Sequence, residues 1–415
     1  MKNIALADEP RFDVTSLRRE FPILARTVNG KPLAYLDNGA SAQRPLAVID
    51  AVDEYERRHH ANIHRGVHTL SQEATALYES ARDRLVDFIH ARSRHELIFV
   101  RGTTEAINLV AQSYARPRLK SGDEILITHL EHHANIVPWQ MVCEQTGATL
   151  VVAPIDEQGD VSAEAIESLM TERTRIFACA HVSNALGTVL PVRRLVAAAK
   201  ARGIITLIDG AQAISHMPVD VQDLGCDFYA FSGHKLFGPT GIGVLYGREA
   251  LLDRMPPWQG GGDMILTVSF AKTTYNSLPY KFEAGTPNIS GAIGLGAAVE
   301  FLRSIDLAGA HAHEHALLDY ATEALSKIDG LRIIGTAKHK ASLVSFVVKG
   351  AHPHDLGTIL DEQGIAIRTG HHCAMPVMEY FKVPATARAS FAFYNTFEEI
   401  DRLSAGILHA QSIFS

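Results

Sequence analysis

The sequence predicts an α/β protein with a large domain, built on a mainly parallel sheet, and a smaller α+β domain after it. Its 415 residues are too many for a single hydrophobic core and suit two domains. As far as about residue 290, short apolar runs alternate with segments of helix length. Beyond that point the alternation ends, and a Gly- and Ala-rich helix leads into a region with strands of its own.

The apolar runs of the first region are short and rich in β-branched residues. They comprise Glu96–Val100, Glu124–Ile127, Thr149–Val152, Ile176–Ala180, Ile204–Ile208 and Asp227–Phe231. Runs of this kind, when they are buried on both faces and joined by helices, form parallel sheets. We therefore expect each run to be one strand of a single central sheet.

The chain divides into three predicted parts. Residues 1–25 form an N-terminal segment that packs with the small domain, residues 26–295 form the large domain, and residues 296–415 form the small domain. The change of pattern in the predicted helix Ala292–Ile305 marks the boundary. The run Ala341–Phe346 is a predicted strand of the small domain.

Charge and hydrophobicity exclude several classes of protein. Lys and Arg total 39 against 46 Asp and Glu, a formal net charge of -7, whereas a nucleic-acid-binding protein normally has a basic face. No apolar run approaches the roughly 18 residues that span a bilayer, and the N-terminus lacks an apolar signal region. The four cysteines include no Cys-x-x-Cys pair. We expect no contact with nucleic acid or membrane, no bound metal, and a cytoplasmic location.

Two polar segments follow consecutive predicted strands, and Asp209 in the first lies 26 residues before Lys235 in the second. They are Asp209-Gly210-Ala211-Gln212 and Ser232-Gly233-His234-Lys235. Ligands of open α/β sheets bind at the carboxyl ends of the strands. A carboxylate and an amine at one sheet edge suit pyridoxal phosphate, because the amine forms an imine with its aldehyde and the carboxylate keeps its pyridine nitrogen protonated. Spacing alone leaves the alternative open, in which Asp209 caps a helix and Lys235 is a solvated cation.

A series of motifs along almost the whole chain resembles the class V aminotransferase family, and specifically the SufS-type, or group II, cysteine desulfurases. Besides the two segments above, the motifs are Tyr35–Ser41, His64–Thr69, Arg101–Asn108, Glu131–Asn135, His181–Asn184, Phe282–Asn288, Arg368–Cys373 and Arg388–Ser390. The resemblance implies pyridoxal phosphate as cofactor, fold type I of the enzymes that use it (aspartate aminotransferase-like), and a homodimer. It also implies that the large domain binds the cofactor and the small domain carries a catalytic cysteine loop.

The resemblance assigns roles around the cofactor ring. Lys235 holds the cofactor as a Schiff base, and Asp209 contacts the pyridine nitrogen. His132 stacks on the ring and assists proton movement, although a lone histidine is more often structural. Gln212 and Asn184 bind near the ring hydroxyl, and Asn184 is also expected to contact the substrate.

The cofactor phosphate is assigned to a second group of residues. By resemblance Thr103, Thr104, Ser232 and His234 contact it, and Thr286 reaches it from the second subunit of the dimer. A Gly-containing turn that opens a helix also supplies free backbone N–H groups. A plain capping box, Thr103 or Thr104 with Glu105 behind, is compatible with this role.

Cys373 decides the predicted reaction, because an aminotransferase needs no thiol nucleophile. The resemblance implies that L-cysteine displaces Lys235 from the cofactor and that the freed amine removes the Cα proton. The Cys373 thiolate, the reactive form of the thiol, then takes the substrate sulfur as a persulfide and leaves alanine. Arg388 binds the substrate carboxylate, a task that suits a guanidinium fork. Arg368 is a weaker candidate, which could instead orient the Cys373 loop or form a surface ion pair.

Several alternatives and partners follow from the resemblance. The persulfide is expected to pass to a SufE-like or SufU-like acceptor for iron–sulfur cluster assembly. L-Selenocysteine lyase activity on the same scaffold, or a catalytically silent assembly scaffold, are the competing functions. The chain departs from many relatives at Met375, where they carry Gln, and at Ala385–Ala387, where some carry Cys.

Overall fold

The structure is a computed structural model, and it describes residues 12–414. Its strands, numbered along the chain, are β1 (Thr27–Val28), β2 (Lys31–Pro32), β3 (Ala34–Tyr35), β4 (Leu97–Val100), β5 (Glu124–Thr128), β6 (Thr149–Ala153), β7 (Thr174–Ala180), β8 (Ile205–Asp209), β9 (Phe228–Ser232), β10 (Gly243–Gly247), β11 (Ile265–Val268), β12 (Thr273–Tyr275), β13 (Leu331–Ile334), β14 (Leu343–Val348), β15 (Ile365–Ala366), β16 (Arg368–Gly370) and β17 (Thr386–Ser390).

The α-helices are α1 (Val14–Arg18), α2 (Leu46–Glu54), α3 (Thr69–Phe88), α4 (Thr103–Leu109), α5 (Val137–Thr146), α6 (Ala163–Leu169), α7 (Val192–Ala201), α8 (Val221–Leu224), α9 (Glu249–Leu252), α10 (Ile289–Ser304), α11 (Leu307–Ser326), α12 (Pro353–Asp361), α13 (Met375–Tyr380) and α14 (Phe397–Phe414). Short 3₁₀ turns cover Pro22–Ala25, Arg94–Glu96, His133–Asn135, Ala213–Ser215, Gly233–Lys235 and Tyr280–Phe282. Two π-helical turns, Tyr55–His59 and Val110–Ala115, continue α2 and α4.

A seven-stranded sheet with the order β4-β10-β9-β8-β7-β5-β6 forms the centre of the large domain. The pairs from β9 through β6 are parallel, so the predicted α/β fold with a mainly parallel sheet is confirmed. β10 is the exception, since it runs antiparallel to both β4 and β9. The sequence analysis did not identify β10, a short apolar segment between two glycines.

Both faces of this sheet are covered. Along β5, Leu126 packs into one apolar cluster, whereas Ile125 and Ile127 pack into another on the opposite side. Successive side chains of a strand point to opposite faces, so an uninterrupted apolar run fills two cores. This arrangement explains why the predicted strands appear in the sequence as continuous hydrophobic runs.

The C-terminal part contains a four-stranded antiparallel sheet with the order β13-β14-β17-β16. An apolar cluster that includes Leu317, Phe346, Leu360 and Leu403 packs helices α11, α12 and α14 against this sheet. β3, from near the start of the chain, pairs with β15 of this part. A segment from near the start of the chain therefore joins the C-terminal part through the backbone hydrogen bonds of β3.

The three-part division of the chain stays a prediction. α10 spans the predicted boundary at residue 295, and a boundary after Ser304 would keep this helix whole. In the N-terminal segment, Arg18 forms an ion pair with Glu399 and donates a hydrogen bond to the carbonyl of Tyr394. Residues 1–11 of that segment lie outside the described residues. Within residues 12–414, no helix combines the length and hydrophobicity that crossing a membrane requires.

A buried ion pair connects α3 to the segment before α10. Arg82 is 0% exposed and Glu283 is 8% exposed. Arg82 Nη1 lies 2.7 Å from Glu283 Oε1, and Nη2 lies 2.9 Å from Oε2. The guanidinium also sits 4.6 Å from the centroid of the Phe99 ring. Glu79 adds a second carboxylate, with its Oε2 3.1 Å from Arg82 Nε, so two acidic groups compensate this buried charge.

We expect Glu283→Ala to lower the free energy of unfolding by about 3 kcal/mol or more, because two buried N–H groups of Arg82 and the Phe99 N–H lose their acceptors, although Glu79 stays beside Arg82 Nε. The matched control is Asp53→Ala, which removes an exposed partner of Arg57 and should cost less than about 1 kcal/mol. Urea unfolding followed by circular dichroism measures both changes. Equal losses in the two variants would contradict this account of the buried pair.

Candidate active site

A cavity of about 190 Å³ opens at the carboxyl ends of the large-domain strands, where the C-terminal part faces the sheet. The sequence-predicted site residues that line it are Thr103, Thr104, His132, Asn184, Asp209, Gln212, Ser232, His234, Lys235, Arg368, Cys373 and Arg388. Residues that follow β4, β5, β7, β8 and β9 contribute one side of the cavity. The other side comes from β16, β17 and the loop between them.

Thr286 does not line this cavity. It is exposed and borders a separate surface cavity, together with Arg101 and Glu105. The expectation that Thr286 serves the site of a second subunit stays a prediction.

Asp209 and Lys235 lie on adjacent parallel strands. Asp209 is the last residue of β8 and pairs with Ala230 of β9. Lys235 follows β9 in a 3₁₀ turn. Asp209 is 6% exposed, and its Oδ1 accepts a hydrogen bond from the Ala211 N–H at 2.9 Å. Both side chains line the same cavity, which favours a joint role over a helix cap and a solvated cation.

Burial changes the ionisation of both groups, because a low-dielectric interior disfavours charge. It raises the pKa of Asp209, although the Ala211 N–H and the Lys235 charge act in the opposite direction. It lowers the pKa of Lys235 from 10.5 to about 8, helped by the positive charges of Arg388 and Arg368 and opposed by Asp209. The Lys235 amine can therefore lose its proton near neutral pH.

His132 enters the cavity from the turn that follows β5. Its Nδ1 accepts a hydrogen bond from the Ala134 N–H at 3.0 Å, so the ring proton is on Nε2. Burial, together with the charge of Lys235, lowers the pKa of His132 to about 4. His132 thus presents an uncharged imidazole to the cavity at neutral pH.

One end of the cavity is lined with hydroxyl groups at the start of α4. The Thr103 N–H donates to Ser232 Oγ at 2.9 Å, and the two hydroxyl oxygens lie 2.8 Å apart. The backbones of β4 and β10 come close here, since a Cβ on Gly243 would lie 2.6 Å from Gly102 Cα. His234 Nδ1 lies 3.4 Å from Ser41 Oγ at the same end. Hydroxyl groups beside the start of a helix suit a phosphate.

Arg388 of β17 is 1% exposed at the opposite side of the cavity. Its Nη1 donates to the Asn184 carbonyl at 2.7 Å, and its Nη2 lies 3.2 Å from Asp37 Oδ1. Its Nε has no hydrogen-bond partner among the described residues. Gly39 makes room for the guanidinium, because a Cβ there would lie 3.1 Å from Nη2. Burial lowers the pKa of Arg388 to about 10, so it stays charged at neutral pH.

Arg368 lies directly opposite Arg388 on the neighbouring strand β16. It is half-buried and lines the cavity. This position favours a role toward a ligand or toward the adjacent loop over that of a surface ion pair. Two guanidinium groups on adjacent strands give this side of the cavity a strong positive charge.

Cys373 follows β16 in a loop whose backbone is strained. His372 and Cys373 have φ angles of 51° and 55°, the left-handed region that costs a non-glycine residue about 1–3 kcal/mol. His372 Nε2 lies 2.8 Å from Thr386 Oγ1, and its carbonyl accepts from Asn184 Nδ2 at 2.6 Å. Burial lowers the pKa of His372 to about 3, so this ring carries no charge beside the thiol.

The other three cysteines lie outside the cavity. Cys179 and Cys226 are buried, and burial raises the pKa of both thiols. Cys143 is half-buried on α5, where burial also raises its pKa. Within residues 12–414, no group of His, Cys, Asp and Glu side chains is arranged to hold a metal ion.

Sequence reasoning did not assign a role to Asp37, Gly39 or Thr386. Asp37 and Gly39 belong to a motif that was noted as part of the resemblance, but their contacts with Arg388 connect positions some 350 residues apart. Thr386 had no signal beyond its position two residues before Arg388. β17 pairs with β16, and its last residue, Ser390, forms a β-bridge with Asp37. These pairings bring the side chains together.

The class-V aminotransferase family matches residues 34–403 of the chain. The chain belongs to this family. A probable cysteine desulfurase of Halalkalibacterium halodurans is 53% identical over 96% of this chain and 98% of its own length. A cysteine desulfurase of Yersinia pestis is 52% identical over 97% of this chain and 99% of its own length. These relatives confirm the predicted resemblance and the class of enzyme.

Solved structures agree with the class-V aminotransferase assignment. The cysteine desulfurase CsdA of Escherichia coli has a TM-score of 0.91 and 43% identity, covering 97% of this chain and all of that one. The apo cysteine desulfurase of Thermococcus onnurineus has the same TM-score and 40% identity, over 96% of this chain and 98% of that one. The fold thus matches across nearly the whole of both proteins.

Membership of this family confirms the predicted cofactor, pyridoxal phosphate. The cavity fits it, because an amine, a buried carboxylate, an uncharged imidazole and a group of hydroxyls occur together. Lys235 would hold the aldehyde carbon and Asp209 the ring nitrogen. Gln212 Nε2 donates to the Gly39 carbonyl at 2.8 Å, which leaves its Oε1 as an acceptor for the ring hydroxyl.

The lowered pKa of Lys235 predicts how the apoprotein takes up the cofactor. Only the neutral amine attacks an aldehyde, so the rate of uptake should rise with pH and level off above about pH 8. Arg388→Met removes a positive charge and should move the plateau to higher pH, whereas Asp209→Asn removes a negative charge and should move it lower. Absorbance after addition of pyridoxal phosphate measures the rate. A rate that keeps climbing through pH 10, as for an exposed lysine, would contradict the assignment.

Proposed function

We propose that this class-V aminotransferase is a SufS-type L-cysteine desulfurase, which converts L-cysteine to L-alanine and receives the sulfur as a persulfide on Cys373. The observation that supports this most is a thiol in the same cavity as Lys235, Asp209 and Arg388. An aminotransferase would use the other three groups and would have no task for Cys373. The name of the relatives, cysteine desulfurase, points to the same reaction.

Arg388 would bind the substrate carboxylate. Its guanidinium is held in one orientation by the Asn184 carbonyl and by Asp37. A fixed, planar fork recognises a carboxylate through two parallel hydrogen bonds. Arg368, on the neighbouring strand, would add positive charge on the same side and attract the negative thiolate of Cys373.

Lys235 and Cys373 would perform the two chemical steps. When bound, pyridoxal phosphate supplies an electron sink that stabilises negative charge at Cα of the substrate. The neutral Lys235 amine removes the Cα proton, and the Cys373 thiolate attacks the substrate sulfur. A new S–S bond forms while the carbon–sulfur bond breaks, and its electron pair stays with the three-carbon fragment. That fragment takes up protons and leaves as alanine.

His132 would cover one face of the cofactor ring. Because its imidazole is uncharged and carries its proton on Nε2, it can stack without adding a second cation beside Lys235. The same N–H is available to donate to an oxygen of the cofactor or substrate. This role for His132 uses the orientation that the Ala134 N–H imposes on the ring.

The persulfide would pass to a SufE-like or SufU-like acceptor for iron–sulfur cluster assembly in the cytoplasm. An acceptor protein would have access to the persulfide, because Cys373 is only half-buried and both His371 and Met375 beside it are exposed. All four thiols are free, as expected in a reducing compartment. A homodimer, in which Thr286 completes the phosphate site of the other subunit, is part of the proposal.

We expect Cys373→Ala to abolish the formation of alanine and sulfide from L-cysteine in the presence of a reductant, while the visible absorbance of the cofactor stays. The absorbance stays because Lys235 and the residues proposed to bind the phosphate hold the cofactor without using the thiol. Cys143→Ala is the matched control, since Cys143 lies outside the cavity, and it should keep the wild-type rate. Alanine and sulfide are assayed together and should form in equal amounts.

Substrate comparison in the same assay separates the competing functions. Turnover of L-selenocysteine that survives in Cys373→Ala, with L-cysteine turnover lost, would identify selenocysteine lyase activity as well. Wild-type sulfide release in Cys373→Ala would contradict the persulfide mechanism. A wild-type protein that binds the cofactor but turns over neither substrate would support a silent scaffold.

A further inference from the structure

The turn after β5 carries two adjacent histidines with different surroundings. His132 lines the cavity, whereas His133 contacts the Cys373 loop, defined here as residues 371–376. The backbone N–H of His133 donates to the Cys373 carbonyl at 2.8 Å. The ring of His133 accepts at Nε2 from the N–H of Met375 at 3.1 Å. One residue thus holds the loop at Cys373 itself and again two residues further on.

The contact at Met375 takes the place of a helix cap. Met375 is the first residue of α13, and no side chain of the preceding residue caps this helix. The first N–H groups of a helix lack intrahelical acceptors, and Pro376, the next residue, has no N–H to donate. His133 Nε2 therefore satisfies the N–H of Met375 from a different part of the fold. His129 adds a bond from Nε2 to the Pro376 carbonyl at 3.0 Å.

The loop needs such contacts because its backbone is strained. Left-handed φ angles at two consecutive non-glycine residues, His372 and Cys373, persist only where the surroundings impose them. Thr386 of the small sheet and Asn184, which follows β7 of the large sheet, both hold His372. His133 holds the positions that follow, on the side of the large sheet.

The turn that carries His133 is itself firmly held. Glu131, 0% exposed, accepts from Asn135 Nδ2 at 2.6 Å and from the Thr128 hydroxyl. Trp139 Nε1 in turn donates to Asn135 Oδ1 at 2.8 Å. A displacement of the turn would break several buried hydrogen bonds, so the turn can act as a fixed reference for both His132 and the Cys373 loop.

We propose that His133 is a positioning residue for sulfur transfer: it fixes the Cys373 loop relative to the cofactor-facing His132 through its Nε2 and its backbone N–H. The proposal rests on the proposed desulfurase function. It assigns His133 no contact with substrate or cofactor. Since Nε2 accepts from Met375, the ring must be uncharged. Burial and the neighbouring His371 lower its pKa, which favours that state.

Two variants of the holoenzyme separate the ring acceptor from the rest of the residue. His133→Leu keeps the backbone bond to Cys373 but removes the acceptor for Met375, whereas His133→Gln returns an acceptor oxygen near the position of Nε2. The matched control is His315→Leu on an exposed face of α11. The readouts are kcat for alanine from L-cysteine, exchange of the L-alanine Cα proton in D₂O, and cofactor absorbance.

We expect His133→Leu to lower kcat between about 10- and 100-fold, the range that a small misplacement of a reacting group produces. Exchange of the Cα proton, which needs Lys235 but not Cys373, should stay near the wild-type rate, as should absorbance. His133→Gln should recover most of the lost kcat, and His315→Leu should match the wild type.

Three results would overturn the proposal. They are a wild-type kcat in His133→Leu, an equal loss of kcat and proton exchange, and a His133→Gln variant no faster than His133→Leu. Failure of the proposed function is distinguishable from these, because the wild type itself would then form no alanine that depends on Cys373.

Discussion

The active site depends on one backbone constraint, the parallel pairing of β8 with β9. Because parallel strands end at the same edge of a sheet, Asp209 and Lys235 enter one buried cavity side by side. Burial disfavours both charges, and it lowers the pKa of Lys235 to about 8. The sheet therefore provides two properties that the cofactor requires: an amine that can be neutral near physiological pH, and a carboxylate that is largely buried.

The two parts of the chain contribute different chemistry to this cavity. The large sheet supplies the groups that suit the cofactor, from the hydroxyls at Thr103 to Lys235. The small sheet supplies Arg388 and Arg368, and the loop between its strands supplies Cys373. In the proposed function, one thiol-bearing loop, held in a strained conformation, directs the chemistry of a class-V aminotransferase framework to sulfur. The contacts of His133 connect that loop to the large sheet.

Local sequence patterns predicted the strands of the central sheet, because the hydrophobicity of a short segment shows whether it is buried. Continuous apolar runs predicted the parallel strands, because burial on both faces leaves no polar alternation. Strand ends pointed to Asp209 and Lys235, but the family resemblance was needed to assign their roles. The antiparallel strand β10 was missed, since a short run between glycines resembles a turn. No role was predicted for Asp37 or His133 either. Asp37 contacts Arg388 and His133 contacts Met375, each more than 200 residues away, and no local pattern encodes such contacts.

The central claim is that Cys373 receives the sulfur while Lys235 handles the proton. Mass spectrometry of the peptides after a single turnover with L-cysteine, without reductant or acceptor, tests it most directly. The account predicts a mass increase of one sulfur atom on the peptide that contains Cys373, formed together with one alanine per site and absent from the peptides of Cys143, Cys179 and Cys226. Alanine formation with unmodified Cys373, or with the added sulfur on another cysteine, would contradict it.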